Sequence, residues 1–199
     1  AFPPMFELGP SIPAQPVAPN ARTVGEMFWL RAARSATRPA LYHKVDGRWT
    51  PIRWGELYGC AAGVAKGLKD LGLERGDRVA VLGPTQPAWA IYDLGAQLAG
   101  MVSFGIYAKQ AVAQVAYLLE HSEAKVVFVA EPDELDVVLA AAERAADLVA
   151  IVPWTEAVYE AAKDRDPRIT SPSKFEAERL DEETIRATRD ATDPDDTAI

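Results

Sequence analysis

Several features that often identify a protein's function are scarce in this 199-residue chain. Its single cysteine, Cys60, allows no disulfide within the chain, so a reducing compartment such as the cytoplasm is expected. No apolar run approaches the roughly 20 residues of a transmembrane segment, and the first 22 residues lack the pattern of a signal peptide. The glycine-rich phosphate motifs G-x-G-x-x-G and G-x-x-x-x-G-K-[ST] do not occur.

Positive charge is also in short supply, with 21 Lys and Arg against 29 Asp and Glu, for a net charge of −8. This balance argues against a nucleic-acid-binding protein, because neutralising phosphates requires clustered Lys and Arg. Most of the acidic excess lies after residue 154: residues 155–199 carry 13 acidic and 7 basic side chains, a net of −6. We therefore predict three regions, namely a proline-rich extended arm (1–22), an α/β subdomain (23–153) and an acidic helical segment (154–199).

The residues after the arm predict a helix, a hairpin and a second helix. A helix is expected over 24–37, and Pro39 would end it. Two short β-rich runs around Asp46-Gly47 predict a hairpin. The next stretch, GELYGCAAGVAKGLKDLG, has one continuous apolar stripe at helical spacing, and Gly72 is a plausible residue to end that helix. The stripe consists of Leu57, Ala61, Val64, Leu68 and Leu71.

From residue 78 the pattern alternates between strand and helix. The predicted strands are continuous apolar runs, which is typical of strands covered by helices on both faces. They cover 78–82, 101–106, 125–130 and 148–152, and the predicted helices cover 87–99, 110–120 and 133–146. The fold class is therefore α/β, a predominantly parallel sheet flanked by helices with an N-terminal hairpin.

The pattern weakens from Trp154 onward. We predict short acidic helices separated by Pro167 and Pro172, and then a turn over 192–196. Residues 197–199 resemble the start of a strand that the printed sequence does not finish. We therefore expect the chain to be a fragment of a longer protein, with the truncation at Ile199.

The loop GPTQPAW, residues 83–89, follows the first of these strands, where many α/β proteins hold a phosphate. It contains one glycine and two prolines, and each proline removes a backbone N–H that a phosphate cradle would need. We therefore predict an ordinary strand-to-helix turn, with Pro87 at the start of the helix.

The remaining candidate residues favour structural roles. His43 and His121 lack further metal ligands at suitable spacing, and Cys60 is expected to be a small buried packing residue. Three tryptophans could line an apolar pocket, although core packing is the commoner use. Three acidic pairs are expected to be solvated. The tryptophans are Trp49, Trp54 and Trp89, and the pairs are Asp133/Glu134, Glu182/Glu183 and Asp195/Asp196.

Three blocks of sequence carry a resemblance that covers about residues 23–199. They are RWTPIRWGELYGCAAGVAKGLKDLGLERGDRVAVLGPTQPAW, LAGMVSFGIYAKQAVAQVAYLLEHSEAKVVFVAEPDELDVVL and DATDPDDTAI. With them the chain resembles the N-terminal part of the adenylate-forming (AMP-binding) superfamily, most closely its long-chain fatty acyl-CoA synthetases. The resemblance implies a subdomain of the large N-terminal domain of the acyl-CoA synthetase-like fold.

The same resemblance implies a ligase that joins a fatty acid to coenzyme A with ATP and Mg²⁺. The family's phosphate loop, its adenine-binding motifs and its catalytic lysine would lie beyond Ile199. It therefore implies no catalytic, cofactor-binding or metal-binding residue among these 199, and an inactive isolated chain. Thr85, Ala88 and the run Tyr107-Ala108-Lys109 depart from the residues usual in the family and would be consistent with a diverged paralogue.

A second hypothesis is a free-standing, non-catalytic α/β module that binds a partner or a small ligand. The arm and the acidic tail could serve such docking. An exposed sheet edge would be a liability for a stand-alone protein, because it invites pairing with other chains, and it makes self-association a further expectation. This argument favours the ligase hypothesis.

Overall fold

A computed structural model describes residues 21–197. Nearly all of the predicted arm, and residues 198–199 of the predicted final strand, therefore lie outside the described residues. The elements in chain order are α1 (Val24–Ser35), β1 (Pro39–Val45), β2 (Arg48–Arg53), α2 (Trp54–Asp70), β3 (Arg78–Leu82), α3 (Pro87–Leu98), β4 (Val102–Ile106), α4 (Val112–Ser122), β5 (Val126–Val129), α5 (Pro132–Ala141), β6 (Ala150–Pro153), α6 (Glu156–Ala162), a 3₁₀ helix (Pro172–Phe175) and α7 (Glu182–Ala191).

The predicted hairpin is confirmed, with β1 and β2 pairing antiparallel. Asp46 and Gly47 have φ angles of 50° and 78°, the left-handed conformation that a two-residue hairpin turn of type I′ needs at both positions. Leu41 and Ile52 lie opposite each other on one face and pack against the core beneath. The hairpin is therefore anchored to the rest of the molecule by this face.

The predicted parallel sheet is also confirmed, in the strand order β4-β3-β5-β6. Side chains along each strand point alternately to its two faces. Val79, Val126 and Phe128 belong to one buried cluster, whereas Leu82 and Val127 belong to the other. Burial on both faces explains why these strands are continuous apolar runs in the sequence.

Helices cover the two faces of the sheet unequally. Helices α1, α2 and α3 pack against one another on one face, and α4 and α5 pack together on the other. The 3₁₀ helix packs against two glycines of α2. A Cβ at Gly63 would lie 2.4 Å from the carbonyl oxygen of Phe175, and a Cβ at Gly67 would lie 2.4 Å from the Phe175 ring. These two glycines are required for the close approach, and Gly72 (φ 83°) follows the helix end as predicted.

Two boundaries differ from the sequence prediction between β5 and β6. Helix α5 ends at Ala141 rather than at 146, and β6 runs from Ala150 to Pro153 rather than over 148–152. The alanine-rich stretch after Ala141 favours helix locally, but the chain must reverse there to bring β6 alongside β5. Leu148 is nevertheless buried, so it contributes to the core from a turn.

The acidic segment packs against the α/β body rather than standing clear of it. Ile169 forms a single parallel bridge with Ile151 of β6, and Phe175, Leu180 and Ile185 are buried. Short helices are present as α6, the 3₁₀ helix and α7. Pro167 lies between α6 and the 3₁₀ helix as predicted, whereas Pro172 does not separate two helices but begins the 3₁₀ helix. In residues 21–197 no helix has the length and apolar character needed to span a bilayer.

Candidate functional site

The carboxyl ends of the parallel strands form one edge of the sheet, where open α/β proteins usually bind ligands. Helix α3, which follows β3, lies on one face, and α5, which follows the neighbouring strand β5, lies on the other. The two connections therefore leave the sheet in opposite directions, and a crevice is expected between them. This position between β3 and β5 is the first place to look for a ligand.

The crevice is filled by the protein's own side chains. A Cβ at Gly83 would lie 2.6 Å from the Cβ of Ala130 and 2.7 Å from the ring of Trp154, so only glycine fits there. Trp154 in turn packs against Tyr92, with ring centroids 5.7 Å apart. The contacts leave no room for a phosphate against Gly83, and they support the prediction of an ordinary turn over 83–89.

The indole nitrogen of Trp154 has no described partner. It is buried, and it finds no hydrogen-bond acceptor among residues 21–197. A buried donor without an acceptor costs about 1–3 kcal/mol. Among residues 21–197 the contribution of the ring is to fill space between β3 and β5.

The residues that we expect to depart from the family pattern lie at this same edge. Thr85 is exposed in the loop after β3, and Ala88, in the first turn of α3, packs against the core. Tyr107 follows β4 with 85% of its surface exposed, and Lys109 adopts a left-handed conformation with φ 62°. The structure thus brings both segments to one edge of the sheet, as expected for segments that follow adjacent parallel strands.

The two histidines and the cysteine are not brought together. His121 is exposed on α4 and stacks on Tyr117, with centroids 5.3 Å apart, whereas His43 lies on the hairpin. Cys60 is exposed, so the prediction of a buried cysteine was wrong. It lies beside the buried stripe of α2, and partial desolvation raises the pKa of its thiol despite the opposing charge of Arg179.

One acidic pair also departs from expectation. Glu134 is 8% exposed rather than solvated, and burial raises the pKa of its carboxyl group. Its side chain accepts a hydrogen bond from the backbone N–H of Glu131, 3.3 Å away, which caps the start of α5. Glu134 is therefore a capping residue at the third position of the helix, where Glu or Gln stands in a capping box, although Glu131 replaces the usual Ser or Thr.

Glu182 has a structural role that was not predicted. It accepts hydrogen bonds from the indole N–H of Trp29 on α1 (3.0 Å) and from the hydroxyl of Tyr58 on α2 (2.6 Å). We call these three residues the Glu182 clasp. These bonds, with the Tyr58 bond the larger influence, hold the pKa of Glu182 below its usual range. Arg186 and Arg189 lie over the Trp29 ring, 5.7 and 5.0 Å from its centroid.

A cavity of about 590 Å³ lies at the opposite, amino edge of the sheet, between the start of α1 and helix α7. Its charged rim is already paired: Arg22 lies 3.7 Å from Glu26, and Arg75 forms an ion pair with Asp196. In the part of the chain that the structure describes, no cluster of three or more His, Cys, Asp or Glu could hold a metal ion.

Comparison with protein families supplies the identity that this geometry leaves open. The family model for AMP-binding enzymes matches residues 28–199. The human long-chain-fatty-acid–CoA ligase ACSBG2 is 32% identical over 117 residues, which cover 59% of this chain and 18% of that protein. The ligase FadD15 of Mycobacterium bovis is 38% identical over 89 residues, 45% of this chain and 15% of that protein. The chain thus spans about a fifth of the length of the curated relatives it matches.

Solved structures show the same fold. The A-PCP didomain of carboxylic acid reductase from Segniliparus rugosus matches 79% of this chain and 27% of its own, with a TM-score of 0.67 at 14% identity. A fatty acyl CoA synthetase of Mycobacterium tuberculosis matches 81% of this chain and 29% of its own, with a TM-score of 0.62 at 23% identity. The predicted fold class is confirmed, and the chain belongs to the AMP-binding enzyme family, with the α/β fold of the N-terminal domain of adenylate-forming enzymes.

Proposed function

We propose that this chain is the N-terminal scaffold of an ATP-dependent, AMP-forming fatty acid–CoA ligase. The observation that carries the proposal is its sequence similarity to long-chain-fatty-acid–CoA ligases within a family match over residues 28–199. The substrates of the whole enzyme would be a fatty acid, ATP and coenzyme A.

The proposed reaction has two steps. A carboxylate oxygen of the fatty acid attacks the α-phosphorus of ATP, and pyrophosphate leaves to give an acyl-adenylate. The thiol of coenzyme A then attacks the acyl carbon, AMP leaves, and a thioester remains. Mg²⁺ would neutralise the phosphate charge, but no metal site can be assigned to residues 21–197.

The filled crevice supports a scaffold role for these residues. Gly83, Ala130 and Trp154 occupy the position where an open α/β sheet would take a nucleotide, so this sheet would support a site built elsewhere in the enzyme. We therefore propose that the 199-residue chain alone neither adenylates a carboxylate nor binds Mg²⁺ or coenzyme A. We also propose that the enzyme is cytoplasmic. Self-association of the chain stays a prediction.

The proposal is tested with the product of the complete gene. Fatty-acid-dependent exchange of labelled pyrophosphate into ATP measures the first step, and formation of acyl-CoA measures the second. We expect both from the complete product and neither from the 199-residue chain. A complete product that supports neither step with fatty acids of any length would refute the ligase proposal, and exchange by the 199-residue chain would refute the scaffold proposal.

A further inference from the structure

Helix α7 and the turn after it are attached to the rest of the molecule at separate points along their length. We call residues 181–196, which comprise both, the strap. The helix has the sequence EETIRATRDA and buries one side chain, that of Ile185, which is 3% exposed. A helix this polar has little apolar area to hold it in place. The contacts at its two ends therefore decide how firmly it is attached.

The beginning of the strap is fixed to α1 and α2. Leu180, the residue before it, is buried, and its backbone N–H donates to the carbonyl oxygen of Ala62 on α2, 2.9 Å away. The Glu182 clasp then ties the first turn of α7 to Trp29 and Tyr58. Leu180 is therefore a fixed point from which the strap extends, and the clasp is its first fastener.

The far end of the strap is fixed to the loop before β3. Arg75 in that loop forms an ion pair with Asp196. The neighbouring Gly76 donates its backbone N–H to the carbonyl oxygen of Gly100, 2.9 Å away, which holds the loop against the amino edge of the sheet. The Asp196 carboxylate also accepts a hydrogen bond from the backbone N–H of Asp193 (2.9 Å), so the turn after α7 closes on the same group. This ion pair is the second fastener.

Between the two fasteners the strap forms part of the wall of the cavity of about 590 Å³. It approaches the amino edge of the sheet closely, because a Cβ at Gly100 would lie 2.9 Å from the methyl carbon of Thr188. The rest of the lining includes Trp29, Leu98 and Met101. Movement of the strap away from the sheet would therefore expose these three side chains to solvent.

We propose that the strap is a conformational device that opens as one unit from Leu180 and, in opening, exposes the cavity. Because both ends are fastened, neither end frays alone, and the amides between them exchange when both fasteners are released. Removing either fastener should therefore weaken the attachment of the whole strap. The proposal concerns contacts within residues 21–197 and does not rest on the ligase activity, so either proposal can fail without the other.

Hydrogen exchange in the ¹⁵N-labelled 199-residue chain, followed by NMR, tests the proposal. Glu182→Ala removes the first fastener and should speed exchange about tenfold, the effect of losing one hydrogen bond to a charged group. Arg75→Ala removes the second fastener and should speed exchange about 2–5-fold, since exposed ion pairs contribute less. In each variant the amides of Ile185 and Ala191, near opposite ends of α7, should change by the same factor. Acceleration confined to the end that was altered would overturn the proposal.

A matched variant and one core amide separate opening of the strap from general loosening of the fold. Arg165→Ala removes another exposed ion pair, with Asp136, and should leave exchange in the strap unchanged. The Val127 amide in β5 should stay unchanged in every variant. Faster exchange of the strap in Arg165→Ala, or acceleration of Val127 by the same factor as the strap, would contradict the proposal.

The indole N–H of Trp29 reports on the cavity side of the strap. It is bonded to Glu182 in the first fastener, and Arg75→Ala acts at the other end. This variant should nevertheless speed exchange of the indole by the same factor as the α7 amides. Raising NaCl from about 0.05 to about 0.5 M should also speed it in the wild type but not in Arg75→Ala, because salt screens the exposed ion pair. A Trp29 indole that ignores both changes would show that the strap opens piecemeal, and the proposal would be wrong.

Discussion

The parallel sheet and helix α7 are held in place by different kinds of contact. In the sheet, β5 is buried throughout, and the ring of Phe128 stacks on Tyr92 with centroids 4.0 Å apart. In α7 the buried residue is Ile185, and the first turn is attached through the Glu182 clasp. The sheet therefore depends on apolar area shared among many side chains, whereas α7 depends on a few polar contacts near the surface.

This difference in contacts predicts a difference in how readily the sheet and α7 unfold locally. Regions with few buried apolar contacts open locally at a lower free energy than the core to which they are attached. We therefore expect α7 to exchange its amide hydrogens faster than β3 or β5. Four substitutions and one pH dependence would sharpen or break this comparison.

The largest effect is expected from Phe128→Ala in the sheet. The ring is fully buried and contacts both Tyr92 and Phe175, whose ring centroid is 5.3 Å away. Removing it should lower the free energy of unfolding by about 3–5 kcal/mol, measured by urea titration. Tyr117→Ala, at an exposed position, is the control and should change it by less than about 0.5 kcal/mol. An equal effect of the two would mean that β5 is not the centre of the core.

A smaller loss is expected from Gly83→Ala at the filled crevice. The new methyl group would press on Ala130 and Trp154, and overpacking of this kind costs about 1–3 kcal/mol of unfolding free energy. Adding Ala130→Gly removes one of the two clashing groups and should recover part of the loss. If the changes in unfolding free energy caused by Gly83→Ala and Ala130→Gly simply add, the two residues do not touch.

A loss confined to α7 is expected from Glu182→Ala. The clasp is near the surface, so the expected cost is about 1.5 kcal/mol, at the low end for hydrogen bonds to a charged group. Hydrogen exchange should accelerate in α7 and stay unchanged in β5. Glu183→Ala removes the same charge from the same turn and is the matched control. Acceleration in both variants would assign the effect to the helix dipole instead of the clasp.

The clasp should also weaken in acid. Tyr58 and Trp29 hold the pKa of Glu182 below its unfolded value, so the folded protein binds this proton less readily than the unfolded chain. The stabilisation is therefore present at neutral pH and is lost as the pH falls through the folded-state pKa. The stability difference between the wild type and Glu182→Gln should shrink as the pH drops below about 4.5. A constant difference would contradict the account.

The smallest effect is expected from Trp154→Phe. The substitution keeps an aromatic ring against Tyr92 but removes the buried indole N–H, which has no acceptor in residues 21–197. Lost packing and the removed desolvation penalty oppose each other, so the unfolding free energy should change by less than about 1 kcal/mol. A loss of several kcal/mol would show that the indole N–H has a partner.

Much of this fold could be predicted because local pattern and tertiary structure agree. The Asp46-Gly47 turn and the apolar runs of β3 and β5 each have one strongly preferred structure. The end of α5 could not be placed, because an alanine-rich stretch favours helix while the chain has to turn toward β6. The sequence also could not show that Cys60 is exposed, since its position beside the α2 stripe depends on how the helix is rotated against its neighbours.

The candidate site was predictable only in part. The composition of the loop after β3 argued against a phosphate cradle, and the close packing of Gly83 supports that prediction. The sequence identified neither the Glu182 clasp nor the role of Trp154, which follows β6 and fills the crevice from a distant part of the chain. Both depend on contacts between residues far apart in the chain, and short motifs do not encode such contacts.

The central claim is that residues 21–197 form a scaffold whose crevice between β3 and β5 is closed to nucleotides. Titration of the ¹⁵N-labelled 199-residue chain with ATP and Mg²⁺, followed by NMR, tests it most directly. We predict no saturable shift of the Gly83 amide or of the Trp154 indole. A saturable shift of both, abolished by Gly83→Ala, would show that the crevice opens to nucleotide and would contradict the account.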